Sequence, residues 1–363
     1  MMRPRALIDT TALSHNLARV RDAAPDRRIY AVIKSNGYGH GVLCAARGLA
    51  DADGFAVARV YEGLELRRAG IDKPVLVLGG AVSGRELIEA AGHSLELMVH
   101  HPDQLTLIEN HDSTQPVRCW LKVDSGMHRL GFLPEEAEEA WHRLCALPSV
   151  LGEVRLATHL ANADDLSDST TFSQLERFRP LAEKLGVESS IANSAGILGW
   201  PDSHGDWVRP GIMLYGASPF LEGSAEKDGL KPVMTLETRL MAVNHLPAGS
   251  PVGYGGTWKC PEAMPVGVAA IGYGDGYPRH APSGTLVLVN GRRVPLVGRV
   301  SMDMITLDLR RQPDARVGDR VTLWGEGLPA DEIATQAGTI AYELFCGVTG
   351  RVEFIEKDRE SDG

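Results

Sequence analysis

Residues 28–41 read RIYAVIKSNGYGHG, an apolar and β-branched run closed by a lysine and then by a small, polar, glycine-rich turn. A run this short and bounded by a turn reads as a buried strand, with Lys34 emerging at its carboxyl end. Working outward, the same texture recurs seven times: GFAVARV (54–60), PVLVLGG (74–80), LELMVH (95–100), VRCWLKVD (117–124), EVRLATHLANAD (153–164), SSIANSAG (189–196) and WVRPGIMLYG (207–216). Helical spacing fills the intervals, as in PEEAEEAW (134–141), where a proline opens the first turn and acids follow it. Eight strand-plus-helix units predict an α/β fold, an N-terminal (β/α)8 TIM-type barrel; a doubly wound open sheet is the alternative.

Beyond Leu230 the pattern changes to strands punctuated by glycine: TLETRLMAVNHL, MPVGVAAIGYGDGY, TLVLVNGRRVPLVG, MDMITLDL and RVTLWG. Asn290-Gly291 between apolar runs signals a hairpin, so the second part is expected to be a mostly antiparallel β domain. Polar and glycine residues at 221–231 mark the junction, giving a barrel over 1–228 and a β domain over 229–363. A chain of 363 residues is long enough for two such cores.

A net charge of −10 argues against a partner held through phosphate neutralisation, so no nucleic acid is expected. The N-terminus carries no long apolar stretch, which predicts no signal peptide and no membrane span. Five cysteines, widely spaced and in no CxxC pattern, point to neither a metal site nor a disulfide framework. A cytoplasmic protein acting on a small molecule is the expectation.

Barrel chemistry sits at the carboxyl ends of the strands. The first run delivers Lys34 and Tyr38; the fifth leads through Lys122 to Arg129; the sixth delivers His159 and Asp164; the seventh Ser194; the eighth Arg209 and Gly211-Ile212. Phosphate sites in such barrels form after the last two strands, where Ser194-Ala195-Gly196 and Arg209-Pro210-Gly211-Ile212 fall. A lysine able to form a Schiff base, a phosphate cradle on the same mouth and no metal-ligand cluster point to pyridoxal 5'-phosphate.

The ordered motifs AVIKSNGYGHG (31–41), LKVDSGMHRLGF (121–132), THLANAD (158–164), ANSAG (192–196), RPGIMLYG (209–216), VGYGGTW (252–258), GYGDGYPR (272–279) and VGRVSMDM (297–304) resemble those of bacterial alanine racemase. TIAYELFCGVTGRV (339–352) carries the likeness nearly to the end. The resemblance implies that Lys34 holds pyridoxal phosphate as an internal aldimine and then serves as the base on one face of the substrate Cα. Tyr254 would be the base on the other face, contributed by the second subunit of a homodimer with shared sites. It further implies cofactor contacts from Tyr38, His159, Ser194, Arg209, Gly211, Ile212 and Tyr342, with Arg209 against the pyridine nitrogen. Arg129 and the backbone of Met302 would bind the substrate carboxylate. Lys122, Asp164, Tyr273 and Arg299 would be supporting residues, Lys122 matching a lysine that some members carry as a carbamate.

Two bases on opposite faces suit racemisation, because a proton taken from one face must be replaced from the other. A phenol with a reference pKa near 10 needs cationic neighbours to work as a base, and His159 and Arg209 are expected to supply them. The activity implied is interconversion of L- and D-alanine, feeding D-alanine to peptidoglycan. A racemase of broader range (serine, lysine or arginine), a related decarboxylase, a metal-free lysine aldolase and a non-catalytic pyridoxal phosphate binding protein are the alternatives. Departures from the common pattern are His128 where asparagine is frequent, Gly253 where many members have serine, and the tail 353–357.

Overall fold

The structure is a computed structural model, and it describes residues 3–112 and 114–357. The eight runs form a closed, all-parallel barrel: β2 (Arg28–Val32), β3 (Gly54–Val57), β4 (Val75–Val77), β5 (Glu96–Val99), β6 (Arg118–Lys122), β7 (Arg155–Ala157), β8 (Ser189–Ser190) and β9 (Trp207–Val208), with β9 returning to pair with β2. Strands β2 to β5 are buried at nearly every position, as expected where a barrel interior lies on one side and helices on the other. The helix expected at Pro134 runs Pro134–Cys145, its proline in the first turn beside Glu135 and Glu136.

The amino-terminal floor of the barrel is plugged. Tyr30 stacks on Trp207 with ring centroids 4.2 Å apart, and buried Glu96 accepts hydrogen bonds from Tyr30 Oη at 2.7 Å and Trp120 Nε1 at 2.8 Å. The interior is therefore filled from below.

The second sheet follows the order β15 (Arg292–Pro295), β14 (Leu286–Val289), β17 (Arg320–Trp324), β10 (Met234–Leu246), β1 (Arg5–Asp9) and β18 (Glu353–Lys357); β13 (Met264–Ala269) pairs with both β10 and β16 (Ile305–Asp308). Every pairing in it is antiparallel except β1 with β18, which is parallel. One long strand serves two sets of neighbours: a register shift at Leu240/Ala242 lets the first half of β10 pair with β1 and β17 and the second half with β13. The Asn290-Gly291 turn between β14 and β15 has φ of 48° and 77°, the doubly left-handed geometry that favours this pair of residues.

One strand corrects the expected division. Although β1 precedes the barrel in the chain, Arg5 to Ile8 pair with Glu237 to Met234, and Arg5 to Asp9 with Glu353 to Lys357, so the first strand lies in the second sheet. The alternation of Ala6 and Ile8, buried, with more exposed Arg5, Leu7 and Asp9 suits a sheet with one covered face rather than a barrel stave. Buried Asn16 then ties the junction, donating to Leu214 O and Lys231 O and accepting from Lys231 N–H. A hairpin of β11 (Pro251–Val252) and β12 (Trp258–Lys259) stands apart on a small core of Val252, Cys260, Met264, Val266 and Val297. Among the described residues no helix is long and apolar enough to cross a membrane.

Candidate active site

The carboxyl ends of the barrel strands enclose a cavity of about 340 Å³. Its wall includes Lys34, Tyr38, Lys122, Arg129, His159, Ser194, Arg209, Gly211, Ile212 and Tyr342, all singled out from the sequence. Lys122, at the end of β6, reaches it directly, and the loop Asp124–Phe132 brings in Arg129. That loop is closed by Asp124 N–H to Phe132 O at 2.8 Å and Phe132 N–H to Lys122 O at 2.9 Å. Arg59, Thr158 and Asn193 also line the cavity and were not singled out. The position of Arg59 at the end of the second run, equivalent to that of Lys34 in the first, was the available signal.

The cavity is electropositive, since Lys34, Arg59, Lys122, Arg129 and Arg209 line it and, among the described residues, no carboxylate does. Burial, reinforced by Arg129, lowers the proton affinity of the Lys34 amine. Burial, with Arg209 and Arg129, brings Lys122 down to about 8. Arg209 is fully inside, and burial lowers it to about 10, which leaves it charged at neutral pH. Its Nη2 donates to Thr158 O at 2.6 Å and to Ile191 O at 3.3 Å, and its Nη1 donates to Ser190 Oγ.

His159 departs from its expected electrostatic part. It is half-buried beside Arg209, Lys122, Arg129 and Lys34, and desolvation together with these cations holds the imidazole neutral, well below the usual histidine range. It therefore supplies a flat ring and a lone pair, with Nδ1 3.5 Å from Arg209 Nη2, and no cation.

At the far end of the cavity Tyr38 is buried, stacked on Tyr215 at 4.7 Å and tilted against Tyr342 at 5.8 Å. Burial pushes the Tyr38 phenol far above its ordinary value; burial and the charges of Asp164 and Asp331 push Tyr342 up to about 12. Both hydroxyls stay protonated as donors. Ser194 Oγ accepts the Gly211 N–H at 2.8 Å, joining the two last strand ends. A Cβ on Gly211 would lie 2.5 Å from Tyr38 Oη, so only glycine lets the hydroxyl sit against this backbone.

The remaining expected residues do not line this cavity within one chain. Tyr254 sits on the tip of the β11–β12 hairpin and is 72 % exposed. Arg299 packs along that tip, with Nη1 3.6 Å from where a Cβ on Gly255 would be. Met302 and Tyr273 share the same module: Gly274 N–H donates to Met302 O at 2.9 Å and Tyr273 N–H to Ser301 O at 3.0 Å. Asp164 stands on the loop after β7, where its carbonyl accepts the Leu221 N–H and its charge reaches Tyr342.

A closed (β/α)8 barrel with a lysine in a mouth lined by cations, joined to a β module bearing an exposed tyrosine, defines a two-module barrel enzyme. The N-terminal domain of alanine racemase matches residues 8–219 and its C-terminal domain residues 233–356. The chain belongs to the alanine racemase family. It is 57% identical to an alanine racemase of Nitrosococcus oceani over 96% of this chain and 98% of that protein. Identity to one of Halorhodospira halophila is 52%, over 98% of each chain. The crystal structure of the biosynthetic alanine racemase from Pseudomonas aeruginosa superposes with a TM-score of 0.94 at 43% identity, covering 99% of this chain and 100% of that one.

Proposed function

We propose that the protein interconverts L- and D-alanine using pyridoxal 5'-phosphate held in the Lys34 cavity, with Tyr254 of a second copy completing the site. The observation that carries this reading is a lysine of lowered proton affinity in a cavity lined, among the described residues, by five cationic side chains and no carboxylate. A phosphate and a substrate carboxylate are the anions such a wall suits. The donor set fits the cofactor. Tyr38 and Tyr342 hydroxyls, Ser194 Oγ and the backbone at Gly211-Ile212 would hold the phosphate; Arg209 would face the ring nitrogen and His159 would lie along the ring. When bound, the cofactor withdraws electrons from the substrate Cα and makes its proton removable.

This chain's residues do the rest. Lys34, whose amine binds its proton less tightly than an ordinary lysine, takes or returns the proton on one face. Arg209 can only donate, so against the ring nitrogen it would leave that atom without a proton and favour return of a proton to Cα. Arg129 and the Met302 backbone grip the carboxylate. Tyr254 needs a second copy because its own chain holds it exposed on the β module; β1 lies in the sheet of that module and runs directly into the helix Thr10–Ala23, which joins the two parts. A homodimer with shared sites follows, located in the cytoplasm. D-alanine from this reaction would serve peptidoglycan.

Solvent-deuterium uptake from each enantiomer tests the scheme. Lys34→Ala abolishes reaction in both directions, and Tyr254→Phe impairs abstraction from L-alanine selectively. Equal loss from both enantiomers in Tyr254→Phe removes the assigned role. Mixing the two variants and allowing subunit exchange restores abstraction from L-alanine to about a quarter of the wild-type rate if sites are shared across copies; no recovery refutes sharing.

A further inference from the structure

The turn after Lys34 has a rare backbone. Ser35, Asn36, Gly37 and Tyr38 have φ of 54°, 55°, 61° and 51°, four consecutive left-handed residues of which one is glycine. L-residues visit this region singly, so a whole turn of it persists only where the surroundings over-determine it. Asn36 Oδ1 accepts the Val42 N–H at 2.8 Å from the far side of the turn. The near side is held by a residue that does not line the cavity.

Glu62 is 6% exposed. Its Oε1 accepts the Ser35 N–H at 2.7 Å, and its Oε2 accepts those of Ala58 at 2.7 Å and Arg59 at 2.9 Å. Ser35 belongs to the lysine's turn, while Ala58 and Arg59 belong to the neighbouring wall of the cavity. One carboxylate thus staples two walls from behind. Its charge also acts on the Lys34 amine, which faces the cations Arg129, Arg209 and Lys122, the Cys346 thiol and neutral His159.

We propose that Glu62 is a positioning residue for Lys34, holding the left-handed turn that aims the side chain and supplying a fixed counter-charge beside its amine. The proposal rests on Lys34 being the reactive amine. A plain helix cap is the competing explanation, because Glu62 is the third residue of the helix Val60–Arg68, where acids cap routinely. Glu86 provides the control. It caps the next helix, Gly84–Gly92, by accepting the Val82 N–H at 2.8 Å, and it makes no hydrogen bond to the lysine turn.

The test compares full-length wild type, Glu62→Gln, Glu62→Asp and Glu86→Gln by two readouts. Hydrogen exchange is followed at residues 34–38. Competitive acetylation of Lys34 against pH, with peptide mass spectrometry, is followed after hydroxylamine has stripped the carbonyl cofactor. Glu62→Gln is expected to speed exchange at Ser35 by about tenfold or more, since that N–H loses its carboxylate acceptor. The acetylation midpoint moves down by about half a pH unit or more, because an anion that favoured the ammonium is gone. Glu62→Asp keeps the charge but shortens the reach, so it loses exchange protection and retains most of the midpoint. Glu86→Gln moves neither readout.

A Glu62→Gln protein that matches Glu86→Gln in both readouts overturns the proposal. Should Glu62→Gln fail to fold, unchanged exchange at 34–38 in Glu62→Asp overturns it equally. If both shifts occur while Lys34→Ala still racemises alanine, the role given to the lysine fails and the positioning geometry stands.

Discussion

The Gly211 backbone and the Tyr38 hydroxyl are in such close contact that a methyl on Gly211 would sit 2.5 Å from Oη and 3.2 Å from Cζ. Tyr38 cannot swing aside freely, because its ring is stacked on buried Tyr215. Gly211→Ala therefore displaces the hydroxyl proposed to meet the phosphate, and weakens pyridoxal phosphate binding about tenfold or more, the cost of overpacking by one methyl. Absorbance titration of the stripped protein measures this. Combining Gly211→Ala with Tyr38→Phe removes the clash along with the hydroxyl, so the two losses add to less than their sum. Full additivity refutes the contact.

Arg209 is expected to tolerate no lysine. Its fork engages Thr158 O at the end of β7 and Ser190 Oγ and Ile191 O at the end of β8 at once, and a single ammonium on a flexible stem cannot reproduce that plane. Arg209→Lys leaves buried acceptors unpaired, lowers stability by about 1–3 kcal/mol, and reduces kcat more than tenfold. Urea unfolding and steady-state racemisation check the two parts. A variant with wild-type stability but lost activity would show that the hydrogen bonds to the strands are dispensable.

The sequence made some of this legible and hid the rest for identifiable reasons. Lys34 could be placed because a strand ends where its apolar run ends, and the barrel rule then fixes which rim the side chain occupies. The Asn290-Gly291 hairpin was equally local. The membership of Arg5–Asp9 in the second sheet was not, since its partners Glu237 and Glu353 lie at the other side of the chain and nothing local names them. Neutral His159 was hidden for a similar reason: its state depends on burial and on four cations brought together from the ends of β2, β6 and β9. Glu62 reads locally as a helix cap, and only the fold reveals Ser35 on its other oxygen.

Lys122 should impose a pH dependence on stability. Burial, with Arg209 and Arg129, lowers it from 10.5 to about 8 in the folded protein. The unfolded chain binds that proton more tightly, so the cost of burying the cation is present in full below about pH 8. It falls away as pH rises from there toward the unfolded value. Lys122→Met removes the cost, raising Tm of the stripped protein at pH 7 by about 2–5 °C, with the gain vanishing by about pH 10.5. Thermal unfolding across this range decides it, and a pH-independent gain would contradict the assignment.

Asp124 sets the last prediction, because it organises the loop that carries Arg129. Its Oδ1 accepts N–H groups from Gly126 at 3.0 Å and His128 at 2.9 Å, and His128 Nδ1 lies 3.5 Å from Oδ2. Burial opposes ionisation, but the N–H groups of His128 and Gly126 outweigh it and hold the carboxyl below its ordinary value. The stability this contributes is present above the unfolded value near pH 4 and lost as pH falls below it. Asp124→Asn keeps an acceptor but loses the charge, so Arg129 is presented less firmly and KM for alanine rises about three- to tenfold while kcat changes less than twofold. Its acid unfolding is also flatter below pH 4 than that of wild type, because the carboxylate that gained a proton there is gone. A fall in kcat with KM unchanged would mean that the loop acts on the chemical step instead of on the grip of the carboxylate.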